Sequence, residues 1–141
     1  MYFYIMSLFL GEFKPSLTEG NRLALPKKIR QPLSGDQVVL SRGFETCVFG
    51  YRKSSWQAEA NKQAEQPISS PQVRDLKRYM FSGAAEVSID GQGRIVVPAN
   101  LVEYAKLFGQ VVVIGAGDHF EIWDKDLWLK HLNTISTQVG Q

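Results

Sequence analysis

Residues 17–29 read LTEGNRLALPKKI, and residues 89–101 read IDGQGRIVVPANL, 72 positions later. In that register Arg22 matches Arg94, Pro26 matches Pro98 and Ile29 matches Leu101. An internal repeat of this kind restricts the fold more than any composition does. Each copy reads as short strands around one tight turn and one helical turn. Alone, a unit of about 44 residues buries too little apolar surface to fold well. Two copies closing on each other around a pseudo-two-fold axis remove that problem. The expectation is an α+β fold, mainly β, in which both copies form one compact unit.

The 141 residues amount to about one ordinary domain. Hydrophobic residues make up 44% and charged residues 21%, which excludes a disordered chain. The formal charge of +2 is too small to argue for a polyanion partner, but it is unevenly spread. From Phe9 to Arg52 seven bases stand against four acids, whereas from Met80 to Asp124 two bases stand against six acids. Attraction to a polyanion would come mostly from the first copy and the linker. Cys47 is the single cysteine, so neither an intrachain disulfide nor a thiolate metal site can form, and its apolar run suggests a buried strand residue.

The uncharged opening MYFYIMSLFL is too short for a membrane span and lacks the basic front of a signal peptide. It reads as a strand extended by a few residues ahead of Met6, with either Met1 or Met6 as the natural start, in a cytoplasmic protein with no membrane partner. Residues 8–14 read as strand, then LTEGNRLAL as strand, turn, strand. PKKIRQPL reads as a helical turn with proline at its first position. GDQVVLSR and TCVFGYR follow as strands. Ser54 or Ser55 is expected to cap a helix over about 56–65, and Ser70 to cap another from Pro71 to Gly83. The second copy repeats the first, and Asp124 caps a final helix with Leu127, Trp128, Leu132 and Ile135 on its apolar side. TQVGQ is expected to fray. Domain bounds follow: 11–54 and 83–126 for the repeats, 55–82 for a helical linker, and 127–141 for the C-terminal helix and tail.

In DGQGR the Asp90 carboxylate can accept backbone hydrogen bonds, and Gly91 and Gly93 admit positive φ. In the first copy Asn21 takes the place of Gly93 and tolerates the left-handed region. Thr18 replaces Asp90, removing a negative charge beside Arg22. An arginine directly after each turn offers a planar, permanently charged fork suited to phosphates and guanine edges. A hairpin arginine paired with a local carboxylate, as Asp90 could provide for Arg94, is the competing structural reading. Lys14, Lys27, Lys28 and Arg30 are further candidates for phosphate contact.

Two copies of this turn, each followed by an apolar run and Pro-x-x-Leu/Ile, resemble the SpoVT–AbrB swapped-hairpin module. The tandem arrangement, with FLGEF near the start, RGFETC in the first copy and GDHFEIWD in the second, resembles the MraZ family. The resemblance implies a pseudo-two-fold, double-split β-barrel of AbrB type with short helices, linker helices and a C-terminal helix. It implies a DNA-binding transcription regulator, a repressor at the promoter of the division and cell-wall gene cluster. It further implies binding to short direct repeats in double-stranded DNA, self-association into a ring, and association with the nucleoid. Arg22 and Arg94 would meet DNA, with Asp90 supporting the second turn. No cofactor, metal or small-molecule substrate is expected.

Two other readings compete. VVVIGAGDHF resembles the opening of a dinucleotide-binding fold, but Phe120 stands where the third glycine belongs, and 24 residues after Gly117 cannot complete that fold. His119 and His131 lack partners at spacings known for catalysis or zinc, so no enzyme is expected. An antitoxin-like or structural oligomeric module is the stronger rival, although such antitoxins usually carry one copy and a disordered tail.

Overall fold

The computed structural model describes residues 7–140. The order of elements is β1 (Glu12–Phe13), β2 (Leu17–Thr18), β3 (Arg22–Ala24), α1 (Lys27–Leu33), β4 (Gln37–Arg42), β5 (Val48–Tyr51), α2 (Lys53–Ala64), α3 (Pro71–Ser82), β6 (Ala85–Ser88), β7 (Arg94–Val96), α4 (Ala99–Ala105), β8 (Val111–Gly115), β9 (Phe120–Asp124) and α5 (Lys125–Val139). Among the described residues the strand pairing is antiparallel throughout, in a six-stranded sheet ordered β1-β8-β9-β5-β4-β6 and a three-stranded sheet ordered β2-β3-β7.

The 72-residue repeat reappears as strand register. In the β3–β7 ladder Leu23 faces Ile95, and in the β5–β9 ladder Phe49 faces Glu121. Both pairs link equivalent positions of the two copies, so the pseudo-dyad passes through both ladders. Two matching hydrogen bonds extend the first, Leu25 N to Gly93 O and Val97 N to Asn21 O, each 2.9 Å. The copies also exchange strands: β1 pairs with β8 of the second copy, and β6 pairs with β4 of the first. This is the expected swapped-hairpin α+β fold, although the five helices hold more of the described residues than the nine strands do. One core, including Leu23, Ile29, Leu40, Ile95, Leu101, Phe120 and Ile122, is shared by both copies and both sheets. Neither copy could keep that core without the other.

The opposite face of the large sheet carries Phe49, Val112, Ile114 and Trp123, which pack with Cys47 and with Trp128 of α5. Helix α5 covers part of it. Asp124 caps the helix through Leu127 N at 3.0 Å, and Trp128 Nε1 donates to Glu12 Oε1 at 2.6 Å. The linker is tied down as well. Tyr79 of α3 and Tyr104 of α4 bring their hydroxyls together, 2.5 Å apart, over the Gly43 carbonyl. Arg42 Nη1 donates to the Tyr79 carbonyl at 2.8 Å.

Several local expectations need correction. The strand over 8–14 is reduced to a bridge between Phe9 and Gly117 plus β1, because Gly11 turns at φ 100°. Met6 and the residues before it lie outside the described residues. Pro26 is the N-cap of α1, not its first helical residue. Cys47 is fully buried but lies in the bend before β5. Ser54 and Ser55 do not cap α2; the cap is Arg52, with no side-chain cap bond. Arg52 occupies the position equivalent to Asp124, so α2 starts where the repeated topology releases β5, and local capping chemistry is overridden. Its guanidinium instead reaches the carbonyls of Ser7 and Pro32. The C-terminal residues do not fray at 137: α5 runs through Val139. Ser70, by contrast, accepts from Val73 N at the start of α3, and Gly83 ends that helix. Among the described residues no helix is long and apolar enough to cross a membrane.

Candidate nucleic-acid interface

The β2-β3-β7 sheet turns one face to the core and the other outward. Strand alternation sends Leu23 and Ile95 inward, where they are buried, so Arg22, Ala24, Arg94 and Val96 share the outer face. In register Arg22 faces Val96 and Ala24 faces Arg94. The arginines are therefore diagonal neighbours across the pseudo-dyad, about 7–8 Å apart by antiparallel geometry. Neither is enclosed: Arg22 is exposed and the Arg94 side chain is 42% exposed. Between them lie small or aliphatic side chains, Ala24 and the half-exposed Val96. This face can accept a polyanion without a steric obstacle from its own centre.

The two turns that deliver the arginines differ. In the second, Asp90 Oδ1 accepts from Gln92 N and Arg94 N at 2.9 Å each, while Oδ2 accepts from Arg94 Nε at 3.0 Å. The backbone bond from Arg94, with those from Gln92 and the Arg94 side chain, holds the Asp90 carboxyl below its usual range. In the first turn Thr18 Oγ1 donates to the Arg22 carbonyl at 3.3 Å, and Arg22 Nη1 donates to the Glu19 carbonyl at 3.5 Å. Asn21 and Gly93 occupy equivalent places with φ of 60° and 79°. Gly20 also has positive φ at 80°, whereas its equivalent Gln92 does not. The two loops therefore follow different backbone paths. Gly91 has open space around it and no positive φ.

The other basic candidates do not converge on this face equally. Arg30 reaches the second turn: its Nε donates to the Leu25 carbonyl at 3.0 Å, and its guanidinium lies where a Cβ on Gly93 would stand. Lys27 and Lys28 are exposed at the start of α1, and Lys28 borders a cleft with Leu10, Glu12 and Gln31. Lys14 lines a separate cleft with Ser16, Gln110 and Lys125. Sequence reasoning missed the apolar partners Ala24 and Val96 and the seat of Arg30 on the opposite copy's turn. The first could have been read by treating the 72-residue offset as a strand register. The second depends on how α1 packs.

A tandem swapped hairpin with an arginine after each turn places the chain in the AbrB-like fold class. The family model described as "MraZ protein, putative antitoxin-like" matches residues 8–79 and again residues 80–139. The chain is 41% identical over 133 residues to a protein of Roseiflexus castenholzii named transcriptional regulator MraZ, covering 94% of this chain and 92% of that one. Proteins with the same name from Limosilactobacillus fermentum and Clostridium acetobutylicum are each 37% identical, covering 95% of this chain and 93% and 98% of theirs. The chain belongs to the MraZ family.

Proposed function

We propose that this chain is a sequence-specific DNA-binding transcription regulator that represses the promoter of its own division and cell-wall gene cluster. It binds short direct repeats as a ring-shaped homo-oligomer in the cytoplasm, in association with the nucleoid. The observation carrying this reading is the outward pair Arg22 and Arg94 on the β3–β7 face, in a chain whose relatives are named transcriptional regulators. Residues 11–54 and 83–126 act as one DNA-facing unit because they exchange β1 and β6. A single protomer offers few cations, so its affinity is weak and strongly salt-dependent. A ring engaging successive repeats turns weak contacts into avid binding through effective concentration. Lys14, Lys27, Lys28 and Arg30 supplement the attraction to phosphate.

Gel-shift titration with a duplex from the DNA immediately upstream of the gene tests the proposal. Arg22→Ala and Arg94→Ala should each weaken binding while leaving the melting curve in place. Unchanged affinity in both variants removes the role assigned to this face. Native mass spectrometry tests the ring. The words "antitoxin-like" in the family description favour a second reading, a module that binds a partner protein. Full loss of promoter binding in the wild-type protein would leave that reading in place.

A further inference from the structure

Three differences separate the two arginine turns. Asp90 has Thr18 as its counterpart, Arg30 has Val102, and the loop backbones diverge at Gly20 and Gln92. All three act on the same property, the freedom of the arginine. Arg94 is held by Asp90 through Nε, and that carboxylate is itself fixed by two backbone N–H groups. Among the described residues its two terminal nitrogens have no hydrogen-bond partner. Arg30 braces the same turn from outside, packed across Gly93 and bonded to the carbonyl of Leu25, whose N–H in turn bonds Gly93 O. Among the described residues Arg22 has no carboxylate partner; it has one long bond to Glu19 O and a guanidinium lying over Gly20.

These arrangements suit different tasks. A guanidinium already oriented loses less conformational freedom on docking, and its two free terminal nitrogens match the paired acceptors of a guanine edge. The Asp90 charge beside it offsets attraction to phosphate, so Arg94 contributes little to counterion release. A guanidinium with no carboxylate beside it and a single long backbone bond keeps its full charge for phosphate and is less firmly oriented to read a base.

We infer that the two arginines divide the work: Arg94, positioned by Asp90 and braced by Arg30, reads a base edge, whereas Arg22 holds the phosphate backbone. The inference rests on the DNA-binding reading above and adds to it which turn carries sequence information. Asp90 and Arg30 are positioning residues.

The test compares affinity for the upstream duplex with affinity for a scrambled duplex of equal length and composition, over a series of salt concentrations. Arg94→Lys keeps the charge but loses the fork, and should lower the ratio of the two affinities by about tenfold or more. Asp90→Asn, which frees the same guanidinium, should follow it. Arg22→Ala should weaken both duplexes by the same factor and reduce the salt slope by about one. Arg22→Lys should restore both, because a lysine serves a phosphate as well. Thermal melting of each variant separates these effects from misfolding. Discrimination that survives Arg94→Lys, or that falls with Arg22→Lys, overturns the inference. Wild-type binding without discrimination also overturns it while leaving DNA binding intact; wild-type binding to neither duplex removes both readings.

Discussion

Leu23 and Ile95 face each other at the centre of the β3–β7 ladder, both buried, at the point where the pseudo-dyad crosses the small sheet. They are the same position in the two copies, so the repeat meets itself there. The outward arginines stand on either side of this contact.

Truncating either residue should therefore destabilise the whole unit, not one half. Leu23→Ala and Ile95→Ala are each expected to cost about 2–5 kcal/mol, as for large buried aliphatics. The double variant should depart from additivity, since the side chains share one cavity. Urea unfolding of the three variants measures this, and a separate transition for each copy would contradict a shared core.

Gly115 is required by close approach. A Cβ there would lie 2.3 Å from the backbone carbonyl of Phe9, where the bridge between Phe9 and Gly117 holds the N-terminal segment to the β8–β9 hairpin. Backbone cannot yield as a flexible side chain does. Gly115→Ala should cost about 1–3 kcal/mol and lower the melting temperature by several degrees. Gly109→Ala, with open space around it, should leave the melting temperature nearly unchanged.

His119 sits between Asp118 Oδ1 at 2.8 Å and Glu121 Oε2 at 2.7 Å, its ring 4.5 Å from Phe49 and 5.6 Å from Tyr51. Burial pulls its pKa down, but the hydrogen bonds to Glu121 and Asp118 outweigh burial and raise it above its usual value. A raised pKa in the folded state means that the protonated form adds stability. That contribution is complete below about pH 6.5 and is lost as pH rises through the higher folded pKa. Denaturation midpoints should fall over that interval, and His119→Gln should flatten the dependence.

Thr18→Asp places in the first turn the carboxylate that the second already has. If a local carboxylate sets the arginine's task, Arg22 should become clamped as Arg94 is. The salt slope of DNA binding should become shallower, because the new charge offsets one cation. Titration across salt concentrations reads this directly. A slope equal to that of the wild-type protein would show that Thr18 does not govern Arg22.

Much of the architecture was legible in the chain because it is local and repeated. The offset of 72 residues places Leu23 on Ile95, Ser70 and Asp124 announce their helices with capping side chains, and alternation around Arg22 and Arg94 sends both outward. Other features have no local signature. Ser34 and Lys106 end α1 and α4 in the left-handed region at φ 55° and 57° without glycine, because the fold demands that bend in both copies. Helix α2 begins after Arg52 for the same reason, although two serines nearby offered better caps.

The sequence by itself determined the twofold plan, the inward and outward faces of each strand, and the presence of an arginine after each turn. Only the tertiary structure decided that β1 and β6 cross to the opposite copy, that Arg30 of one copy braces the turn of the other, and that the two arginines differ in freedom. Periodicity and turn chemistry act over a few residues and can be read along the chain. Strand exchange and side-chain bracing depend on contacts between distant residues, which exist only after both halves have closed on one core.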